Sequence, residues 1–314
     1  MPTYRDDPRV DPAMRAALAE YEAALALRLP DPPPVPDPAM RGDWTAARLS
    51  LIRPDPRDAG VVRTPWIGAE ARPRAVQFRP PGAEGVLPAI VWLHGGGWCL
   101  GGIATLEHAF RRLCTLTGFA VVGVEYRLAP EHPFPAALDD VRMVFAADFG
   151  AAGLDPARLV LAGDSAGGNL ALAFALADRP PLRGLALVYP VTDSDLETPS
   201  YREFAEGYGL TRAGMETFWR CYVPDPARRA DPRAAPLRAA SLGGLPPVHL
   251  QLAWLDVLRD DALRLEARLR GEGVPTETLV APGLVHGYLS GGQGVPESAA
   301  ALAALAGWAR RRLG

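Results

Sequence analysis

Gly163-Asp164-Ser165-Ala166-Gly167 fits the pattern G-x-S-x-G and stands between an apolar run, Leu159–Ala162, and a helical segment. A serine on so sharp a strand-to-helix turn needs small neighbours, because a side chain on either flank would strike the strand or the helix. The turn lifts the hydroxyl above the sheet, over a helix N-terminus that favours developing negative charge. The chemistry this suits is nucleophilic acyl transfer. A second glycine-rich segment, His94-Gly95-Gly96-Gly97, follows the apolar run Ala89–Leu93. Glycines there let backbone N–H groups approach a substrate oxygen without a side chain in the way. We assign Gly96 and Gly97, with the N–H of Ala166, as donors to an oxyanion. A phosphate-binding loop would need a lysine and a spacing that this segment lacks.

A serine hydroxyl is a weak nucleophile; it needs a base, and the base needs an acid to fix its tautomer. Where the nucleophile sits on a strand-to-helix turn, its partners follow in the order acid and then histidine. That order excludes His94, His108 and His132. His249 falls inside the apolar run Val248–Ala253 and reads as a core or flanking histidine. His286 remains as the base, in the segment Pro282–Gly287, which is expected to be a flexible loop. Asp256, three residues after Ala253 and 30 before His286, is the expected acid. Asp260 and Asp261 open the next helix, where acids ordinarily serve as caps.

These groups require a scaffold that ends several strands at one place. Strand-like runs are expected at Arg74–Arg79, Ala89–Leu93, Ala120–Glu125, Leu159–Ala162, Leu185–Tyr189, Val248–Ala253 and Glu277–Val280. Helical patterns lie near Leu106–Thr117, Ala136–Phe149, Gly168–Ala177, Asp260–Gly271 and Glu297–Arg312. Apolar strands alternating with helices predict a doubly wound, mostly parallel α/β sheet, whose sites gather at the carboxyl ends of the strands. An opening helix capped by Asp11 is expected to run to Leu29, and the proline-rich Asp31–Pro38 to join it to the rest as a stiff connector. The alternation breaks between Pro190 and Leu245, a stretch holding Tyr201, Phe204, Tyr208, Phe218, Trp219 and Tyr222. Such an insertion suits a lid. The expected division is therefore an N-terminal cap piece (1–45), a core segment with the oxyanion loop and nucleophile (46–190), a cap insertion (191–245) and a core segment with acid and base (246–314).

Composition narrows the partners. The 314 residues are 48% hydrophobic and 22% charged with a net charge of −3, ordinary for a globular protein and unsuited to polyanions, so nucleic acid is not expected. Every basic side chain is arginine, which reads as base composition more than as a binding surface. The first ten residues carry Asp6, Asp7 and Pro8 where a secretory signal would be basic and then apolar. No run approaches the roughly 18 apolar residues of a spanning helix. Cys99, Cys114 and Cys221 are far apart, without a C-x-x-C pair, and read as reduced cytoplasmic thiols. No metal and no cofactor is expected, and a homodimer stays open.

Several segments resemble the hormone-sensitive-lipase-like family of esterases, in its G-D-S-A-G branch. They are His94–Trp98, Tyr126–Ala136 (YRLAPEHPFPA), Gly163–Asn169, Asp231-Pro232 with Pro236, Asp256–Asp260 and His286-Gly287-Tyr288. The resemblance runs from about residue 85 to 290 and implies an α/β-hydrolase fold with a helical cap, and hydrolysis of monoacyl esters; the limited depth of a pocket under an aromatic-rich cap leads us to expect short to medium chains. Val257 stands where that family usually has proline after the acid. His94, Trp98, Asp164 and Tyr288 are expected at the substrate-binding wall, His94 orienting the loop. Two other functions are compatible with the fold. An amidase or deformylase would use the same triad, and a ligand-binding homologue of the plant hormone receptor type would have lost the histidine that is present here.

Overall fold

A computed structural model describes residues 3–28, 41–67 and 73–314. The connector expected at Asp31–Pro38 lies outside these residues, and the opening helix expected to reach Leu29 ends at Ala26, with Leu27 as its C-cap. Eight strands form one sheet: β1 (Val62–Ile67), β2 (Arg74–Arg79), β3 (Leu87–Leu93), β4 (Ala120–Glu125), β5 (Leu154–Asp164), β6 (Gly184–Val188), β7 (Val248–Leu255) and β8 (Thr276–Val285). Their order is β1-β2-β4-β3-β5-β6-β7-β8. The pairings of β2 with β1 and with β4 are antiparallel, and the other pairings are parallel. β3, β4, β6 and the stretch Leu159–Asp164 of β5 are almost wholly buried, as strands covered on both faces must be.

The helices are α1 (Pro12–Ala26), α2 (Arg41–Leu49), α3 (Ile103–Thr117), α4 (Ala136–Phe145), α5 (Ala166–Asp178), α6 (Pro199–Glu203), α7 (Arg212–Tyr222), α8 (Arg259–Gly271), α9 (Tyr288–Gly291) and α10 (Pro296–Leu313). Small strand residues show which helix covers which face. A Cβ on Gly123 of β4 would lie 2.8 Å from the Phe110 ring of α3, and one on Gly184 of β6 would lie 2.4 Å from Trp308 of α10. A Cβ on Gly163 of β5 would instead meet Gly167 of α5 at 2.4 Å. Gly163 and the residue paired with Gly184, Val160, are three positions apart, so α5 lies on the face opposite α3 and α10.

Several elements depart from the sequence expectation. β1 was not expected, because its outer face is exposed and Pro65 interrupts it, as an edge strand tolerates. α2 follows the prolines without an apolar run to announce it. β7 and β8 run on to Leu255 and Val285, so the expected flexible loop before His286 is mostly strand, paired to β7 up to Leu255↔Val285. α4 ends at Phe145, four residues early. The insertion holds α6 and α7, and its six aromatics are buried as part of the main hydrophobic core. The N-terminal segment touches that insertion: the Tyr4 N–H donates to the Gly207 carbonyl at 2.9 Å, Tyr208 Oη to the Asp7 carboxylate at 2.8 Å, and Arg9 to Glu203 at 2.9 Å.

Candidate active site

Strand register brings the three expected groups together. Leu255 and Val285 are paired, so the next residues, Asp256 and His286, leave adjacent strand ends side by side. His286 Nδ1 lies 2.7 Å from Asp256 Oδ2, and His286 Nε2 lies 2.9 Å from Ser165 Oγ. A carboxylate only accepts, so Nδ1 carries the proton and Nε2 presents its lone pair to the serine hydroxyl. The second carboxylate oxygen of Asp256 accepts the Leu258 N–H at 2.9 Å. Asp256 is buried and His286 retains slight exposure. The ring of Tyr189, which follows β6, lies 4.7 Å from the imidazole and limits its movement.

Ser165 has φ 53° and ψ −119°, a backbone conformation that non-glycine residues adopt only when the surroundings enforce it. Its N–H is held by the Val188 carbonyl at 2.9 Å. The glycines of the turn are required by contact: a Cβ on Gly167 would fall 1.9 Å from the Leu93 carbonyl oxygen. Across from the serine, Gly96 and Gly97 have φ of 120° and 57°. Among the described residues, no protein acceptor takes the N–H of either. The space at Gly97 is closed by the cap, since a Cβ there would meet the Phe218 ring of α7 at 2.3 Å.

The four residues expected at the substrate-binding wall are all buried, each held by packing or hydrogen bonds. Asp164 is buried; its Oδ1 accepts Trp92 Nε1–H and Gly95 N–H, both at 3.0 Å. Burial raises its carboxyl to about 6, against those two hydrogen bonds and the nearby His286. Trp98 is fully buried and stacks on Tyr222 of α7 at 4.3 Å, joining the loop to the insertion. Tyr288 is buried, its hydroxyl donating to Gln251 Oε1 at 2.8 Å. His94 is buried and stacked on Tyr126 at 4.3 Å, with its Nδ1 2.8 Å from the Gly95 carbonyl. His249 is a core residue, as expected; its ring lies against Trp308, and burial lowers it to about 4.

Asp260 and Asp261 do not cap their own helix. Asp260 accepts the Ser200 N–H at 2.9 Å, and buried Asp261 accepts the N–H groups of Thr192 and Asp193 at 2.8 and 3.1 Å. Both tie α8 to the insertion. Sequence reasoning missed this, and it also missed Tyr189 and Arg41. Arg41, at the start of α2, donates to the carbonyls of Cys99 at 2.6 Å and Ala129 at 3.0 Å and pairs with Glu131. Only the position of Tyr189 directly after a strand could have signalled it.

A cavity of about 680 Å³ bounded by Leu49, Ile52, His108, Leu116, Leu289 and Leu302 includes none of the triad side chains. Among the described residues, no group of three His, Cys, Asp or Glu side chains is arranged to hold a metal ion, and no helix is long and apolar enough to cross a membrane.

Comparison with known proteins identifies the family and the fold. The sequence matches the alpha/beta hydrolase fold family over residues 90–290. The carboxylesterase NlhH of Mycobacterium tuberculosis (strain ATCC 25618 / H37Rv) is 40% identical over 238 residues, 71% of this chain and 73% of that protein. The ethyl acetate hydrolase of Pseudomonas putida is 34% identical over 233 residues, 70% of this chain and 73% of that protein. A thermostable esterase from Pseudomonas putida ECU1011 superposes with a TM-score of 0.88 at 32% identity, over 98% of this chain and 99% of that one. With its glycine-walled serine turn and the facing histidine loop, the chain belongs to the hormone-sensitive-lipase-like family of α/β-hydrolase esterases.

Proposed function

We propose that this carboxylic ester hydrolase works through Ser165 as nucleophile, His286 as general base and acid, and Asp256 as the acid that orients His286. Ser165 Oγ attacks the ester carbonyl while His286 Nε2 takes its proton. The carbonyl oxygen, now an oxyanion, is held by the N–H groups of Gly96, Gly97 and Ala166. His286 returns the proton to the leaving alkoxide, and the alcohol departs. Water then attacks the acyl-enzyme with His286 again as base, which releases the acid and restores Ser165. The observation that carries this reading is the unbroken hydrogen-bonded line from Ser165 Oγ to His286 to Asp256, at 2.9 and 2.7 Å.

The substrates are small monoacyl esters of short to medium chain. The N-terminal segment (1–45) and the insertion (191–245) act together as the cap over the site; the contacts of Tyr4, Asp7 and Arg9 with the insertion support this. A cytoplasmic location agrees with three cysteines that form no disulfide. The test is Ser165→Ala with a fluorophosphonate label and a panel of aryl esters from acetate to palmitate, plus one anilide. We expect loss of turnover in the variant, labelling of the wild type on Ser165, and faster hydrolysis of butyrate than of palmitate or the anilide. Activity of Ser165→Ala within tenfold of wild type would overturn the mechanism. Palmitate turning over faster than butyrate would overturn the chain length, and a preference for the anilide would make the protein an amidase.

A further inference from the structure

We propose that Asp164 is a positioning residue for the oxyanion loop, its carboxylate holding the Gly95 peptide so that the following N–H groups face the substrate oxygen. The inference rests on the proposed role of Gly96 and Gly97 as donors and deepens it. Gly95 lies between two planar peptide groups, and a planar trans peptide points its N–H and its C=O in opposite directions. In the peptide before Gly95, the N–H is held by Asp164 Oδ1 at 3.0 Å and the His94 carbonyl by Tyr126 Oη at 2.6 Å. In the peptide after it, the Gly95 carbonyl lies 2.8 Å from His94 Nδ1, which must donate because a carbonyl cannot. The N–H of that second peptide belongs to Gly96. Fixing its carbonyl toward His94 therefore aims the Gly96 N–H the other way.

The carboxylate also confines Gly95 sterically, since a Cβ at that residue would lie 2.5 Å from Asp164 Oδ2 and 3.0 Å from the Asp164 carbonyl oxygen. Trp92 Nε1 donates to the same Oδ1 at 3.0 Å and fixes the carboxyl plane. Asp164 directly precedes Ser165 in the chain. One rigid residue thus sets the distance between the nucleophile and the donors that face it, and a fixed donor geometry is what makes an oxyanion site effective.

The experiment compares Asp164→Asn, Asp164→Ala and Asp164→Glu in the full-length protein, with kcat and KM for p-nitrophenyl butyrate and the melting temperature of each. The asparagine oxygen can still accept from Gly95 and Trp92, so Asn should keep kcat within about tenfold. Ala removes the acceptor and should lower kcat by about 10²- to 10³-fold, the usual effect of losing one oxyanion donor, with KM changed less than about threefold. Glu carries the acceptor one methylene out of place and should lose kcat more than Asn does. If Ala fails to fold, the contrast of Asn with Glu decides. Unchanged kcat in Ala, or an equal loss in Asn and in Glu, would overturn the positioning role. Ser165→Ala run alongside separates the two claims: if it stays active, the serine mechanism itself fails, whatever Asp164 does.

Discussion

Asp256→Asn should slow the enzyme by about 10² to 10⁴, and the hydrogen bonds of the carboxylate show why. Asp256 Oδ1 accepts the Leu258 N–H at 2.9 Å while Oδ2 faces His286 Nδ1 at 2.7 Å. An amide has one oxygen. The Leu258 N–H can only donate, so the amide oxygen stays with it and the NH₂ group turns to His286. Nδ1 must then accept, the ring proton moves to Nε2, and the lone pair that faced Ser165 Oγ is gone. Turning the amide round restores the tautomer but buries the Leu258 N–H against an NH₂ group, at about 1–3 kcal/mol, or about 10- to 10²-fold. The lost carboxylate also no longer stabilises the imidazolium, and a hydrogen bond to a charged group contributes about 1.5–3 kcal/mol more. The two effects give the stated range, and the same change in a well-studied serine protease costs about 10⁴. The assay is kcat on p-nitrophenyl butyrate beside the melting temperature. A folded Asp256→Asn enzyme within tenfold of wild type would refute both the tautomer argument and the choice of acid.

Asp260→Asn should change kcat little and reduce stability by about 0.5–2 kcal/mol, because its carboxylate holds Ser200 in the insertion; a loss of turnover equal to that of Asp256→Asn would assign the acid wrongly. Gly97→Ala should lower kcat by about 10² or more, since the new methyl would meet the Phe218 ring at a φ of 57°, and adding Phe218→Ala should return part of it. Wild-type kcat in the single variant would remove Gly97 from the oxyanion site. Burial raises Asp261 from 3.8 to about 7, so the folded protein keeps a proton that the unfolded chain releases. The stability this group contributes is fully present below about pH 4 and is lost as pH rises through 7. Asp261→Asn cannot titrate, so its stability relative to wild type should grow by on the order of 2–3 kcal/mol between pH 5 and 8 in urea melts. A difference that stays flat with pH would show that Asp261 is ionised in the folded state.

What could be read in the sequence is what backbone geometry forces on residue type. Gly167 meets the Leu93 carbonyl and Gly163 meets α5, so no other residue fits the turn, and the pattern is visible without any coordinates. Strands buried on both faces are also visible, because β3, β6, most of β4 and the second half of β5 must be apolar. β1 and α2 were not visible, being half exposed and short of apolar residues. Which side of a strand end a polar residue faces depends on register, and register is a property of the partner strand. Asp164, next to Ser165 in the chain, points across to Trp92 and Gly95, a direction that only the neighbouring strand sets. Asp261 looked like a helix cap because acids at helix starts usually are; the amides it holds lie 68 and 69 residues upstream, beyond any local reading.

The same dependence on distant segments ties the loop from His94 to Cys99 to the insertion and to α2. Phe218 closes the space over Gly97, Trp98 stacks on Tyr222, and the Trp98 carbonyl takes the Ala129 N–H at 2.9 Å. Arg41 from α2 then holds the next carbonyl, that of Cys99, at 2.6 Å. Four residues from Gly95 to Cys99 are thus set by a contact from another segment, β5 at Gly95, α7 at Gly97 and Trp98, and α2 at Cys99, while Gly96 is set by the loop's own turn at Leu100. Glycine at the donor positions supplies conformational freedom that would cost rigidity if nothing removed it. These contacts remove it, from the insertion at Gly97 and Trp98 and from α2 at Cys99.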